Sequence, residues 1–144
     1  MLDRCIKLAG QVDVWCHLGD LTSDAEALMS RTNAKVYAVR GNCDYFGGSA
    51  QRYESEAVVE LGGARILMMH GHTRGVKSSA MNACYAAREC GAQILLFGHT
   101  HRPLVDWDGT LWVMNPGSIR DRRTYGVITL EGGKIDCAAQ TLTL

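Results

Sequence analysis

Apolar stretches along this chain stop, four times over, on a small or polar residue able to do chemistry. Residues 12–18 run into Gly19-Asp20, residues 34–39 run past Arg40 into Gly41-Asn42, residues 66–69 end on His70, and residues 94–97 end on Gly98-His99. Short apolar-rich runs bounded by turn formers predict strands. Between the first two lies 23–31, where Ser23, Glu26 three positions on, and then Ala27, Leu28 and Met29 predict a helix opened by a capping box. Residues 76–90 predict another helix: Ala80, Ala83, Cys84, Ala87 and Arg88 recur at helical spacing, and Gly91 is its stop. Leu2, Cys5, Ile6 and Ala9 follow the same period within residues 1–10.

The remaining runs pair as hairpins. Residues 56–61 and 64–69 flank Gly62-Gly63, 104–107 and 111–114 flank Asp108-Gly109, and 125–130 and 134–139 flank Gly132-Gly133. Strand–helix–strand units in the first half and hairpins in the second fit an α/β architecture of two sheets packed face to face, with helices outside.

Composition adds mainly exclusions. At 144 residues, 47% hydrophobic and 21% charged, the chain reads as one ordinary globular domain. Fifteen basic residues balance fifteen acidic ones, so no global field draws in nucleic acid or an anionic membrane. No apolar run approaches the ~20 residues of a membrane span, and the N-terminus lacks the layout of a signal peptide, which makes a cytoplasmic location the default expectation. The six cysteines form no C-x-x-C pair, and all but Cys43 sit in apolar stretches expected to bury them.

Where parallel strands of an α/β sheet end, their carboxyl edges gather and ligands bind. Strand ends bearing Asp20, Asn42, His70 and His99 would therefore converge. Imidazole, carboxylate and amide oxygen suit a catalytic transition metal, whereas a structural zinc would call for thiolates. Each motif alone is a common turn or a lone histidine pair; their repetition at successive strand ends makes them a site. His17, inside the first run, reads as a core histidine supporting Asp20.

In order and spacing, His17-Leu18-Gly19-Asp20, Gly41-Asn42-Cys43-Asp44, His70-Gly71-His72, Gly98-His99-Thr100-His101 and Asn115-Pro116-Gly117-Ser118 resemble the calcineurin-like metallophosphoesterases, and within them the small bacterial and archaeal phosphodiesterases with a Gly-Asn-Cys-Asp motif. The resemblance spans nearly the whole chain. It implies a four-layer αββα sandwich and a phosphoesterase, above all a phosphodiesterase, in which a metal-bound hydroxide attacks phosphorus in line. It further implies that Asp20 bridges two divalent transition metals, manganese foremost, with nickel, zinc, iron or cobalt as alternatives. Asn42, His70 and His99 would complete the second site, and His101 would join Asp20 at the first. Cys43 stands where larger members place a proton-donating histidine. A thiol matches that task poorly, so protonation of the leaving group is expected to fall to His72 or to water, with aryl phosphodiesters favoured. Residues 115–118 are expected to form a rigid turn beside the site, and Arg40, Arg74 and Arg120 to be surface charges rather than phosphate contacts.

The family pattern also includes a strand leading into Asp-x-His, which supplies the other ligands of the first metal. Asp3 and Asp13, the aspartates before Asp20, have no histidine two residues on. The expectation is a single domain over residues 1–144, truncated relative to the family and lacking its usual first strand, that holds one metal through Asp20, Asn42, His70 and His99 and turns over slowly. The alternative is a non-catalytic scaffold or protein-binding module of the same fold, as in the eukaryotic retromer subunit. The expected partner is a small phosphoester, with no nucleic acid and no membrane; a homo-oligomer stays open, because an unpaired sheet edge invites a second copy.

Overall fold

The computed structural model describes residues 1–44 and 53–143. In chain order its elements are α1 (Leu2–Ala9), β1 (Val14–His17), α2 (Thr22–Arg31), β2 (Lys35–Ala38), β3 (Glu56–Leu61), β4 (Ala64–Met69), α3 (Met81–Glu89), β5 (Ile94–Phe97), β6 (Leu104–Trp107), β7 (Trp112–Asn115), β8 (Thr124–Glu131) and β9 (Lys134–Thr141). The central sheet runs β3-β4-β5-β7-β6, with β4, β5 and β7 parallel and an antiparallel strand at each edge. β1 and β2 pair in parallel, and β8 and β9 form a hairpin.

The period-2 alternation of strand side chains divides the core in two. Leu67, Met69, Leu95, Phe97 and Val113 face Ala83 and Ala87 of α3. Their neighbours Ile66, Met68, Ile94, Leu96 and Met114 face the other way, onto Leu18, Val39 and Cys137, with Cys16, Tyr37, Ile128 and Leu130 packed around them. Because β4 and β5 are buried on both faces, they read as continuous apolar runs rather than alternating ones. α2 packs on β1 and β2 through buried Ala25 and Leu28. The layers are therefore helix, sheet, sheet, helix, as expected. Among the described residues β1 pairs only with β2.

Two local expectations need correction. Ser23 does not cap α2: the helix starts at Thr22, Leu21 precedes it in a left-handed conformation with no side-chain cap, and the Thr22 N–H is taken instead by the Asp44 carboxylate at 3.1 Å. The helix expected over 76–90 begins at Met81, because Gly75 at φ 64 and the buried Val76 turn the chain first. Ser78 and Ser79 both donate to the Gly75 carbonyl, and Ser79 Oγ accepts the Met81 N–H at 3.1 Å. Gly91 ends the segment at φ 73, as the sequence suggests. All six cysteines are free thiols; Cys5 and Cys137 are buried, Cys16, Cys84 and Cys90 partly so, and Cys43 is exposed. Burial pushes Cys5 and Cys16 up to about 11 and Cys137 to about 12, so those thiols are inert near neutrality.

Candidate metal centre

Strands β1 and β2 lie side by side with His17 opposite Ala38, so the turns that leave them meet at one edge. The approach is close enough to demand glycine. A Cβ on Gly19, at φ 96, would lie 2.7 Å from Gly41 N and 2.8 Å from His70 Nδ1, and one on Gly41 would lie 2.1 Å from Asp20 Oδ1. After Gly19, both Asp20 (φ 55) and Leu21 (φ 60) take the left-handed conformation, which side chains resist. Hydrogen bonds hold them there. The Asp20 and Gly41 N–H groups donate to Asp44 Oδ2 at 2.8 and 2.7 Å, and Cys43 N–H donates to Asp20 Oδ1 at 2.9 Å. His17 Nδ1 accepts the Gly19 N–H at 3.3 Å, which gives that histidine the supporting place its position implied.

His70, at the end of β4, is 2% exposed. Its Nδ1 lies 2.8 Å from the Leu18 carbonyl oxygen. A carbonyl only accepts, so Nδ1 carries the proton and donates. In the neutral ring Nε2 is then a lone pair. That nitrogen faces Asn42 Oδ1 at 3.0 Å, His99 Nδ1 at 3.1 Å and Asp20 Oδ2 at 3.5 Å. Two of these partners are oxygens that can only accept, so acceptors confront an acceptor, and a cation is the species that would satisfy all of them. A transition metal with bonds of about 2.1 Å separates neighbouring donors by about 3 to 3.5 Å, which is the spacing found. The donor set thus fits a divalent ion. It does so only with the Asn42 amide, since no three His, Cys, Asp or Glu side chains among the described residues already close into a metal-holding group.

The histidines are in the state a ligand needs. Burial, above all, holds His70, His99 and His17 below the usual 6.5; for His99 the neighbouring His70 and Lys77 push the same way. A histidine depressed in the folded state takes up its proton more readily when unfolded. Stability is therefore complete above about pH 6.5 and is lost as pH falls through the folded-state values. We expect the thermal midpoint of chelator-treated protein to fall from pH 7.5 to pH 5 at constant ionic strength; a flat or rising calorimetric midpoint would contradict this.

Other expected site residues take varied places. The His72 ring lies 5.3 Å from that of His70 and 6.3 Å from that of His99, and its buried Nδ1 finds no partner among the described residues. Cys43 is exposed, and the Asp20 charge, ahead of burial and a hydrogen bond to the same residue, pushes its thiol up. His101, at φ 59, points Nδ1 at Asp121 Oδ2, 2.5 Å away. The structure thus gathers Asp20, Asn42, His70 and His99, sets His72 beside them, and ties His101 to an aspartate that the sequence gave no reason to single out. Arg74 is engaged by Glu56 at 2.6 and 2.9 Å, and Arg120 by Asp24 at 3.6 Å.

The loop carrying His99 is braced from β7. Asn115, fully buried, donates from Nδ2 to the Gly98 carbonyl at 3.0 Å and to Thr100 Oγ1 at 2.9 Å, while its Oδ1 accepts the Gly117 N–H at 2.9 Å. Gly117 has φ 81, the positive value expected of a turn there.

Residues 2–133 match the model of the calcineurin-like phosphoesterase superfamily domain. A probable metallophosphoesterase, YsnB of Bacillus subtilis, is 36% identical over 127 residues, covering 84% of this chain and 70% of its own. The phosphodiesterase YfcE of Escherichia coli is 33% identical over 94 residues, covering 59% of this chain and 45% of its own. Vacuolar protein sorting 29 of Cryptosporidium parvum superposes with a TM-score of 0.70 over 96% of this chain and 86% of that one, at 21% identity, a likeness of fold.

Proposed function

Since this chain belongs to the calcineurin-like phosphoesterase superfamily, we propose that it is a metal-dependent phosphoesterase acting on small phosphodiesters, with one divalent transition metal held by Asp20, Asn42, His70 and His99. The observation that carries this reading is the convergence of three lone-pair donors, Asn42 Oδ1, His99 Nδ1 and Asp20 Oδ2, on a fourth, His70 Nε2. Manganese is the first choice of ion, because one carboxylate and one amide oxygen join two imidazoles. Bound there, such an ion supplies Lewis acidity toward a phosphoryl oxygen and acidifies water.

The chain's own groups do the rest. Asp20 provides the anionic donor and is oriented by the Cys43 N–H. His70 is fixed in one tautomer by the Leu18 carbonyl, so it offers Nε2 without needing to lose a proton. Cys43, its thiol pushed up by Asp20, stays protonated but is a weak acid for an alkoxide leaving group. The proton then comes from His72, whose ring lies beside those of His70 and His99, or from water. Substrates whose leaving groups need no proton, such as aryl phosphodiesters, should react best. Among the described residues no helix is long and apolar enough to cross a membrane; a cytoplasmic site of action, a single domain and the absence of nucleic-acid partners belong to the proposal.

The test is metal content and hydrolysis measured together. Manganese-loaded protein should bind about one ion per chain, hydrolyse a bis-aryl phosphodiester, lose that activity to a chelator and regain it on adding metal. A chain that takes up no metal and hydrolyses nothing would instead fit a scaffold of the same fold. Replacing Cys43→Ala should leave bis-aryl hydrolysis within about threefold, since that leaving group needs no acid; a drop of 10²-fold would give the thiol a direct role.

A further inference from the structure

Asp44 closes the Gly-Asn-Cys-Asp motif, and no step of the proposed reaction uses it. It is nevertheless one of the few buried charged residues, 6% exposed. Its two oxygens accept from three backbone N–H groups: Oδ2 from Asp20 at 2.8 Å and Gly41 at 2.7 Å, Oδ1 from Thr22 at 3.1 Å. Those amides belong to two different turns, and strand pairing reaches neither turn: β1 ends at His17 and β2 at Ala38. The Thr22 amide is also the first of α2, a helix whose N-cap residue, Leu21, gives it no side-chain cap. A carboxylate receiving three N–H groups is a strong, charge-assisted anchor.

We propose that Asp44 is the positioning residue of the metal centre, a buried clamp that fixes the Asp20 carboxylate and the Asn42 amide toward His70 by locking their two turns together. The proposal rests on the phosphoesterase reading. What separates it from a merely structural bond is the identity of the amides held. One is Asp20's own N–H, so release of that peptide swings the carboxylate; another is Gly41, whose peptide precedes Asn42. The left-handed backbone at Asp20 and Leu21 makes release downhill once the clamp is gone.

The experiment compares cobalt(II) affinity and visible spectrum for wild type, Asp44→Asn and Leu142→Ala, the last a buried residue near the C-terminus chosen to lower the thermal midpoint without touching either turn. Asp44→Asn should weaken cobalt binding by about 10- to 100-fold and alter the ligand-field bands, as loss of a ligand-orienting partner does. Leu142→Ala should keep wild-type affinity and spectrum. If Asp44→Asn does not fold alone, Asp44→Asn with Leu21→Gly replaces it, since glycine accepts the left-handed position at no steric cost. This double variant should fold and still bind cobalt weakly. Wild-type affinity and spectrum in Asp44→Asn, or affinity restored by Leu21→Gly, overturn the inference while leaving the phosphoesterase reading intact. A wild-type chain that takes up no cobalt overturns that reading, and the positioning role with it.

Discussion

Asp20→Asn should lower metal-dependent phosphodiester hydrolysis roughly 10³-fold while leaving the fold stable to within about 1 kcal/mol. The replacement is isosteric, so the reason is chemical. Asp20 is the one anionic side chain in a donor set otherwise made of an amide and two neutral imidazoles. In the aspartate, Oδ1 accepts the Cys43 N–H at 2.9 Å and Oδ2 lies 3.5 Å from His70 Nε2. In the asparagine the oxygen must stay toward Cys43, because an NH₂ group there would meet another donor. The NH₂ is thereby aimed at His70 Nε2, where it donates into the lone pair that would otherwise hold the ion. The variant thus loses the charge and fills the site in the same step. Metal content by mass spectrometry, bis-aryl phosphodiester turnover and denaturant unfolding read the three consequences separately. Retained metal and retained rate together would sink the assignment of Asp20 as a ligand.

Much of the fold is visible in the sequence because its signals are local. The β3–β4 hairpin and β5 coincide with the apolar runs on either side of Gly62-Gly63 and before Gly98, since each strand carries its own pattern and its own stop. The start of α2 is not local. Ser23 and Glu26 make a sound capping box on paper, but the helix starts one residue before Ser23, at Thr22, whose amide is taken by Asp44, 22 residues away. The start of α3 fails for a similar reason: Val76 is drawn into the core beside Leu67 and Phe97, and helical spacing cannot foresee that burial.

The candidate centre divides the same way. Asp20, Asn42, His70 and His99 are legible because each ends a strand, and strand ends share an edge. Of the groups that orient them, His17 and the 115–118 turn are legible beside the site, but the individual bonds are not, because the partners lie far off in sequence. Asp121 meets His101 across 20 residues, and Asn115 braces the Gly98 carbonyl across 17. Composition offers no sign of such pairs. The one available clue is a polar residue in an apolar setting, as with Asn115 after the β7 run.

Gly41→Ala should cost about 2 to 4 kcal/mol of stability and remove metal-dependent activity by at least about 10²-fold, a large effect for one methyl group. Gly41 needs no special backbone angle, so propensity does not forecast this. Space does. The added Cβ would stand 2.1 Å from Asp20 Oδ1, 2.6 Å from Asp20 N and 2.8 Å from Asp20 Cγ. A side chain could rotate away from the first contact, but the second is backbone. That backbone cannot retreat while Asp44 Oδ2 holds both the Asp20 and the Gly41 N–H groups. The turns must therefore separate, and with them the Asp20 carboxylate and the Asn42 amide. Gly63→Ala is the matched control: Gly63 sits at φ 81 with nothing within 4 Å of its Cβ position, so alanine there meets only the left-handed penalty of about 1 kcal/mol and leaves activity unchanged. Urea unfolding and metal titration of the two variants side by side decide the point. Equal losses in both would mean that backbone angle, rather than the contact between the two turns, sets the tolerance of this edge to added bulk.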